Sequence, residues 1–170
     1  IFYLGLLFLS ILNSKSAPTD PAQNLVRAQL GKLDLLPSFL KLILPWLAML
    51  VLWVSLNKPL VALEMLPAPK SFLHLLEQGA VVGLGVYLAW KFLIVGIVLL
   101  HLLNSYIYFG AWPFWNFIDN SARQILKLIS WIPMRIGKID FAPLVAMALV
   151  LVASEYGSLG LVWIYQRLPF

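Results

Sequence analysis

The sequence predicts an all-α membrane protein. Four transmembrane helices form two parallel two-helix repeats, with interfacial amphipathic helices between them. Three observations predict this. Hydrophobic residues make up 62% of the 170 and charged residues only 11%, whereas a soluble domain carries about 25% charge. Apolar surface on that scale needs lipid to cover it. Four apolar runs approach the roughly 20 residues that a bilayer core of about 30 Å requires. Finally, one phrase occurs twice: Gly31-Lys32-Leu33-Asp34-Leu35-Leu36-Pro37 returns as Gly137-Lys138-Ile139-Asp140-Phe141-Ala142-Pro143, and each copy opens an apolar run.

Span one is Ile1–Leu12, a short run that reads as continuing upstream rather than as a signal peptide. Spans two, three and four are expected near Leu36–Leu56, Ala80–Leu103 and Phe141–Tyr165. The runs are too long for barrel strands and lack their polar alternation. A second echo closes span one and span three: Ser10-Ile11-Leu12-Asn13-Ser14 and His101-Leu102-Leu103-Asn104-Ser105. Repeat one then covers residues 1–56, a linker covers 57–79, and repeat two covers 80–170. Internal repetition of this kind organises many membrane proteins. Gly83, Gly85 and Gly96, with Ala80 and Ala89, would let helices approach span three closely.

Lys and Arg set the direction. The first connector carries Lys15, Arg27 and Lys32, and the third carries Arg123, Lys127, Arg135 and Lys138. The middle connector has only Lys58 and Lys70. The positive-inside rule therefore puts connectors 13–36 and 104–140 on the cytoplasmic side of a bacterial inner (plasma) membrane or a derived internal membrane. In the middle connector, Pro59, Pro67 and Pro69 break regular structure. A short interfacial helix over Ser71–Gln78 is expected to stop at Gly79.

The third connector is the chemically richest stretch. Tyr106, Tyr108, Phe109, Trp112, Phe114, Trp115 and Phe117 form an aromatic belt suited to the headgroup level. Ser121 and Gln124 make a capping-box pattern, which predicts a helix starting there. Arg123, Lys127, Arg135 and Lys138, with Trp112 and Trp115, would face lipid headgroups or a protein partner. Nothing in the stretch is a specific nucleic-acid motif.

In the repeated phrase, Gly31 and Gly137 permit a sharp turn. Asp34 and Asp140 are placed to cap the following helix, where the helix dipole favours negative charge. Pro37 and Pro143 fit its first turn. Inside the spans, Lys91 and Glu155 lie at similar depth, which leaves two readings: an intramembrane Lys91–Glu155 ion pair, because charges in lipid are usually paired, or a span four that ends near Ser154, with Glu155 wet and Lys91 snorkelling. His101 is a candidate haem or chlorin ligand, but a second suitably placed His is lacking and a hydrogen bond to a neighbour is the plainer expectation. No cofactor is therefore expected. The absence of cysteine excludes disulfides and thiolate metal sites. No phosphate loop, HExxH helix or nucleophile elbow occurs, so no enzyme is expected.

The Gly-x-Asp-x-x-Pro turn entering an apolar helix, present twice with a basic connector, resembles the YggT family, also called YlmG. Gly31, Leu33, Asp34 and Pro37 match its signature, as do Gly137, Ile139, Asp140 and Pro143. The family's second Gly is replaced by Lys32 or Lys138, and its Ser by Leu36 or Ala142. The family's upstream motif is reduced here to Ser105. The resemblance implies a small bacterial or plastid membrane protein without established enzymatic activity. Family members are linked to osmotic adaptation, to division or nucleoid organisation, and to assembly of a b-type cytochrome complex. The expected role is a non-catalytic scaffold, assembly factor or accessory subunit. Its partners would be membrane lipids and a larger membrane complex or homo-oligomer. The alternative is a solute- or ion-handling protein acting as an oligomer.

Overall fold

The computed structural model describes residues 2–14, 21–67, 69–107, 112–129, 135–136 and 139–168. The fold is helical: α1 (Phe2–Leu12), α2 (Pro21–Leu30), α3 (Ser38–Ala62), α4 (Phe72–Gly85), α5 (Trp90–Tyr106), α6 (Pro113–Leu126) and α7 (Ala142–Arg167). A two-residue antiparallel ladder, Arg135–Ile136 with Ile139–Asp140, precedes α7. Three helical stretches are long and apolar enough to cross a membrane: Ser38–Ala62, Phe72–Tyr106 and Ala142–Arg167. The four-span expectation is thus met at three. The first apolar run forms α1, whose 11 residues rise only about 16 Å.

The middle stretch differs most from expectation. The helix beginning after Ser71, whose hydroxyl accepts the His74 N–H, does not stop at Gly79. It runs on through a 3-10 segment at Val86–Ala89 into α5. Gly79 lets helices approach there instead of ending one: a Cβ would lie 3.3 Å from Trp53 Cδ1 of α3. The connection from α3 is correspondingly short, and α3 continues past Pro59 to Ala62. Glu64, in the left-handed region at φ 57°, closes α3, a common way to satisfy the last carbonyls of a helix. Pro45 lies buried inside α3. Its missing N–H leaves the Lys41 carbonyl without its helical donor.

Two apolar clusters hold the bundle. Leu6 and Leu7 of α1 meet Val26 and Leu30 of α2 and Phe117 of α6. Ile97 and Val98 of α5 meet Ile118, Ala122 and Ile125 of α6 and Ala146 of α7. Close packing of these side chains holds the helices together through many small dispersion contacts. The helix in each connector is therefore packed into the bundle. For α6 the expected start at Ser121 is corrected. It starts at Pro113, with Pro in its first turn, where Pro fits best. Ser121 is wholly buried in its middle.

Candidate functional site: a buried polar belt

The polar groups gather where α1 and α5 run out into their connectors, and the second sequence echo supplies them. Residues three apart on a helix share a face, so Ser10 and Asn13 point together from α1, and His101 and Asn104 from α5. The Ser10 hydroxyl donates to Asp34 Oδ1. The Lys41 ammonium of α3 donates to Ser10 Oγ at 2.8 Å and to Asp34 Oδ1 at 3.0 Å. Arg27 Nε of α2 lies 3.5 Å from Asp34 Oδ2. Lys41 is only 5% exposed, so its charge is neutralised inside the protein and not by water.

Further along, Asn13 Nδ2 donates to Ser121 Oγ of α6 at 2.9 Å, and Gln23 Nε2 of α2 donates to the Asn13 carbonyl at 2.6 Å. On the far side of α6, Asp119 takes His101 Nδ1 at 2.8 Å and Asn104 Nδ2 at 2.9 Å. The belt thus joins α1, α2, α3, α5 and α6 through side chains. Apart from Gln23 Oε1, which has no partner among the described residues, these groups satisfy one another, and that favours one arrangement of the helices.

Asp34 therefore does not cap α3, as the turn phrase suggested. The residue at that cap position is Pro37, which makes no side-chain cap bond. The Gly31–Leu35 segment is a 3-10 turn, and it carries the carboxylate toward Ser10 and Lys41. Gly31, at φ 53°, makes the left-handed exit from α2 that glycine allows without strain. Asp140 stands one residue before the cap position, Phe141, and from there its Oδ1 accepts the free Ala142 N–H at 3.0 Å, with Pro143 a buried first-turn residue. Two copies of one phrase thus do different work. Gly137 and Lys138, and the side chain of Arg135, lie outside the described residues. Of the other connector residues, Arg123, Lys127 and Trp112 are exposed, while Trp115 is half-buried and packs edge-on against Phe114.

Burial raises the Asp34 carboxyl pKa. The Ser10 hydrogen bond, the Lys41 ammonium and the Arg27 guanidinium lower it by more, so it settles below the usual carboxylate value. A folded pKa below the unfolded one stabilises the fold above about pH 4 and loses that contribution as pH falls through the folded pKa. Resistance to unfolding should hold between about pH 7 and pH 5 and fall below about pH 4. The fall should be shallower for Asp34→Asn. An Asp34→Asn profile with the same acid limb as the parent would refute this assignment.

The expected Lys91–Glu155 ion pair is not formed. Lys91 Nζ lies 5.2 Å from the Phe92 ring centroid, and Glu155 is exposed. The cause is rotational. Ser154 faces the bundle and is buried, and Glu155 is one residue, about 100°, further round the helix. His101, the candidate cofactor ligand, has its Nδ1 on Asp119, and among the described residues no three His, Cys, Asp or Glu gather as a metal site. An apolar groove of about 380 Å³ lies between Leu42, Ile43, Trp46, Leu84, Tyr87 and Trp90. The polar atoms of its aromatic rings bond backbone carbonyls: Trp46 Nε1 to Ala80, Tyr87 Oη to Leu42 and Trp90 Nε1 to Leu4. That groove suits hydrocarbon, not a polar solute.

No family model matches the chain, and no curated protein or solved structure is significantly similar to it.

Proposed function

We propose that the chain is a non-catalytic scaffold, assembly factor or accessory subunit of a larger membrane complex. One observation carries this reading. The belt's polar side chains bond in sets across helices, Ser10 with Asp34 and Lys41, Asn13 with Ser121, and His101 with Asp119, while each long apolar stretch has only 11% of its most apolar window buried. A rigid internal frame with bare outer faces suits lateral contact with lipid and other subunits. On this reading the apolar runs amount to four spans in two related halves, as in the YggT family that the turn phrases resemble. The belt and both basic connectors then lie on the cytoplasmic side of a bacterial inner or derived internal membrane. The occurrence of a connector helix after both α1 and α5 supports the two halves.

The second reading, a solute- or ion-handling protein acting as an oligomer, draws on Lys91 and Glu155, which pair with no described residue. Purification of the tagged protein from its native membrane in mild detergent, followed by native mass spectrometry, decides between them. Stoichiometric companions of other sequence are expected. A lone monomer, or a homo-oligomer without companions, would sink the accessory reading.

A further inference from the structure

Glu155 is the most exposed chemical anomaly of the fold. It stands thirteen residues after Ala142 and twelve before Arg167, at the middle of α7. About 18 Å of helix separates it from either end. It lies on the outer face, in a stripe of exposed residues at three- and four-residue spacing: Leu144, Ala148, Leu151, Glu155, Leu159 and Val162. Such a stripe is one continuous seam along a helix, here apolar apart from a single central carboxylate. Intramembrane charges are costly and normally face protein rather than lipid. Among the described residues none pairs with this one.

Lys91 supplies the complement. A Cβ on Gly157 would lie 3.2 Å from Leu88 Cδ2, and one on Gly85 would lie 3.9 Å from Leu161 Cδ1. These two contacts fix an antiparallel register in which Lys91 is level with Ser154 and Glu155. Lys91 is near the midpoint of the continuous Phe72–Tyr106 stretch, half-buried, and among the described residues its ammonium meets the Phe92 ring. Lys91 and Glu155 thus lie at one depth, and neither pairs with a described residue of its own chain.

We propose that α7's outer stripe is an interface with a second copy of this chain, in which Glu155 of one copy pairs with Lys91 of the next. A rotation axis along the membrane normal preserves depth, so it brings the two charges level between copies. Desolvated from lipid and water alike, the pair fixes the register of an otherwise apolar seam, as a single polar residue does in a coiled coil. This names a partner within the accessory reading and rests on the chain spanning a membrane.

Charge exchange tests it. Copy number is counted by native mass spectrometry of the full chain extracted with its native lipids. The parent should carry two or more copies. Glu155→Gln, isosteric and neutral, should weaken self-association about tenfold. Glu155→Lys alone and Lys91→Glu alone should each remain single, and the two variants produced together with distinct tags should associate with each other. One copy per particle in the parent, a monomer–oligomer ratio in Glu155→Gln that matches the parent across a dilution series, or failure of the two reversed variants to associate would each overturn the proposal. The two readings fail separately. Companions around a single copy would sink self-pairing and leave the accessory reading, whereas a homo-oligomer without companions would do the reverse.

Discussion

Asp34→Ala should be the most damaging single substitution in the polar belt, destabilising the fold by about 3–5 kcal/mol. The damage comes from what remains. Lys41 is 5% exposed, and without Asp34 its ammonium keeps, among the described residues, only the Ser10 hydroxyl. A buried charge with one neutral partner is far worse than either a paired charge or none. Replacing both groups, Asp34→Ala with Lys41→Met, should therefore cost much less than the two single losses added together. Ser10→Ala should cost about 1 kcal/mol, the usual net value of a hydrogen bond. Arg27→Gln should cost under about 1 kcal/mol, because its side chain is one-third exposed and its contact with Asp34 is long. Equilibrium unfolding in mixed micelles of rising denaturing-detergent fraction would give all five values. Additivity of the Asp34 and Lys41 losses would show that the two groups do not depend on each other.

Gly83→Leu should prevent the close crossing of α3 and α4, and Gly83→Ala should already cost about 1–3 kcal/mol. A Cβ at position 83 would sit 2.8 Å from Trp46 Cδ1 and 3.0 Å from the Trp46 carbonyl oxygen. The ring cannot swing aside freely, because its Nε1 donates to the Ala80 carbonyl at 2.9 Å. The backbone oxygen cannot move without α3. Relief thus means breaking a hydrogen bond or parting two helices. Gly96→Ala is the control: no atom lies within 4 Å of a Cβ there, and alanine favours helix over glycine by about 0.5–1 kcal/mol. It should be neutral or stabilising in the same assay. Equal behaviour of the two alanine variants would mean that the crossing is looser than the structure has it.

These two sites mark where sequence was informative and where it stopped. Apolar run length predicts α3 and α7 to within a few residues at most ends, because lipid crossing sets a minimum length that composition reveals directly. The glycines of the third span read as alike, but only Gly83 meets a neighbour closely, and which face of a helix is covered depends on partners distant in the chain. The same limit applies to the belt. The echo of Ser10 and Asn13 with His101 and Asn104 is visible in the sequence, and it marks the face that carries the polar contacts. Their partners Asp34, Lys41, Asp119 and Ser121 sit 24, 31, 18 and 108 positions away, and no local pattern links them. The turn phrase shows the converse. Identical residue types gave one expectation for Asp34 and Asp140, and a lysine four residues into α3 drew only Asp34 away from capping.

The unbroken Phe72–Tyr106 stretch sets a mechanical condition on the whole molecule. Its 35 residues rise about 52 Å, against a hydrocarbon thickness of about 30 Å. If the stretch crosses the bilayer as proposed, it must lean to keep its apolar turns inside, and α3 and α7, packed along different parts of it, lean with it. Bilayer thickness then becomes a force on the bundle: a thicker membrane rights the rod and a thinner one lays it down. Because the polar belt locks α5 to its neighbours, the molecule would answer such a change by tilting as one piece.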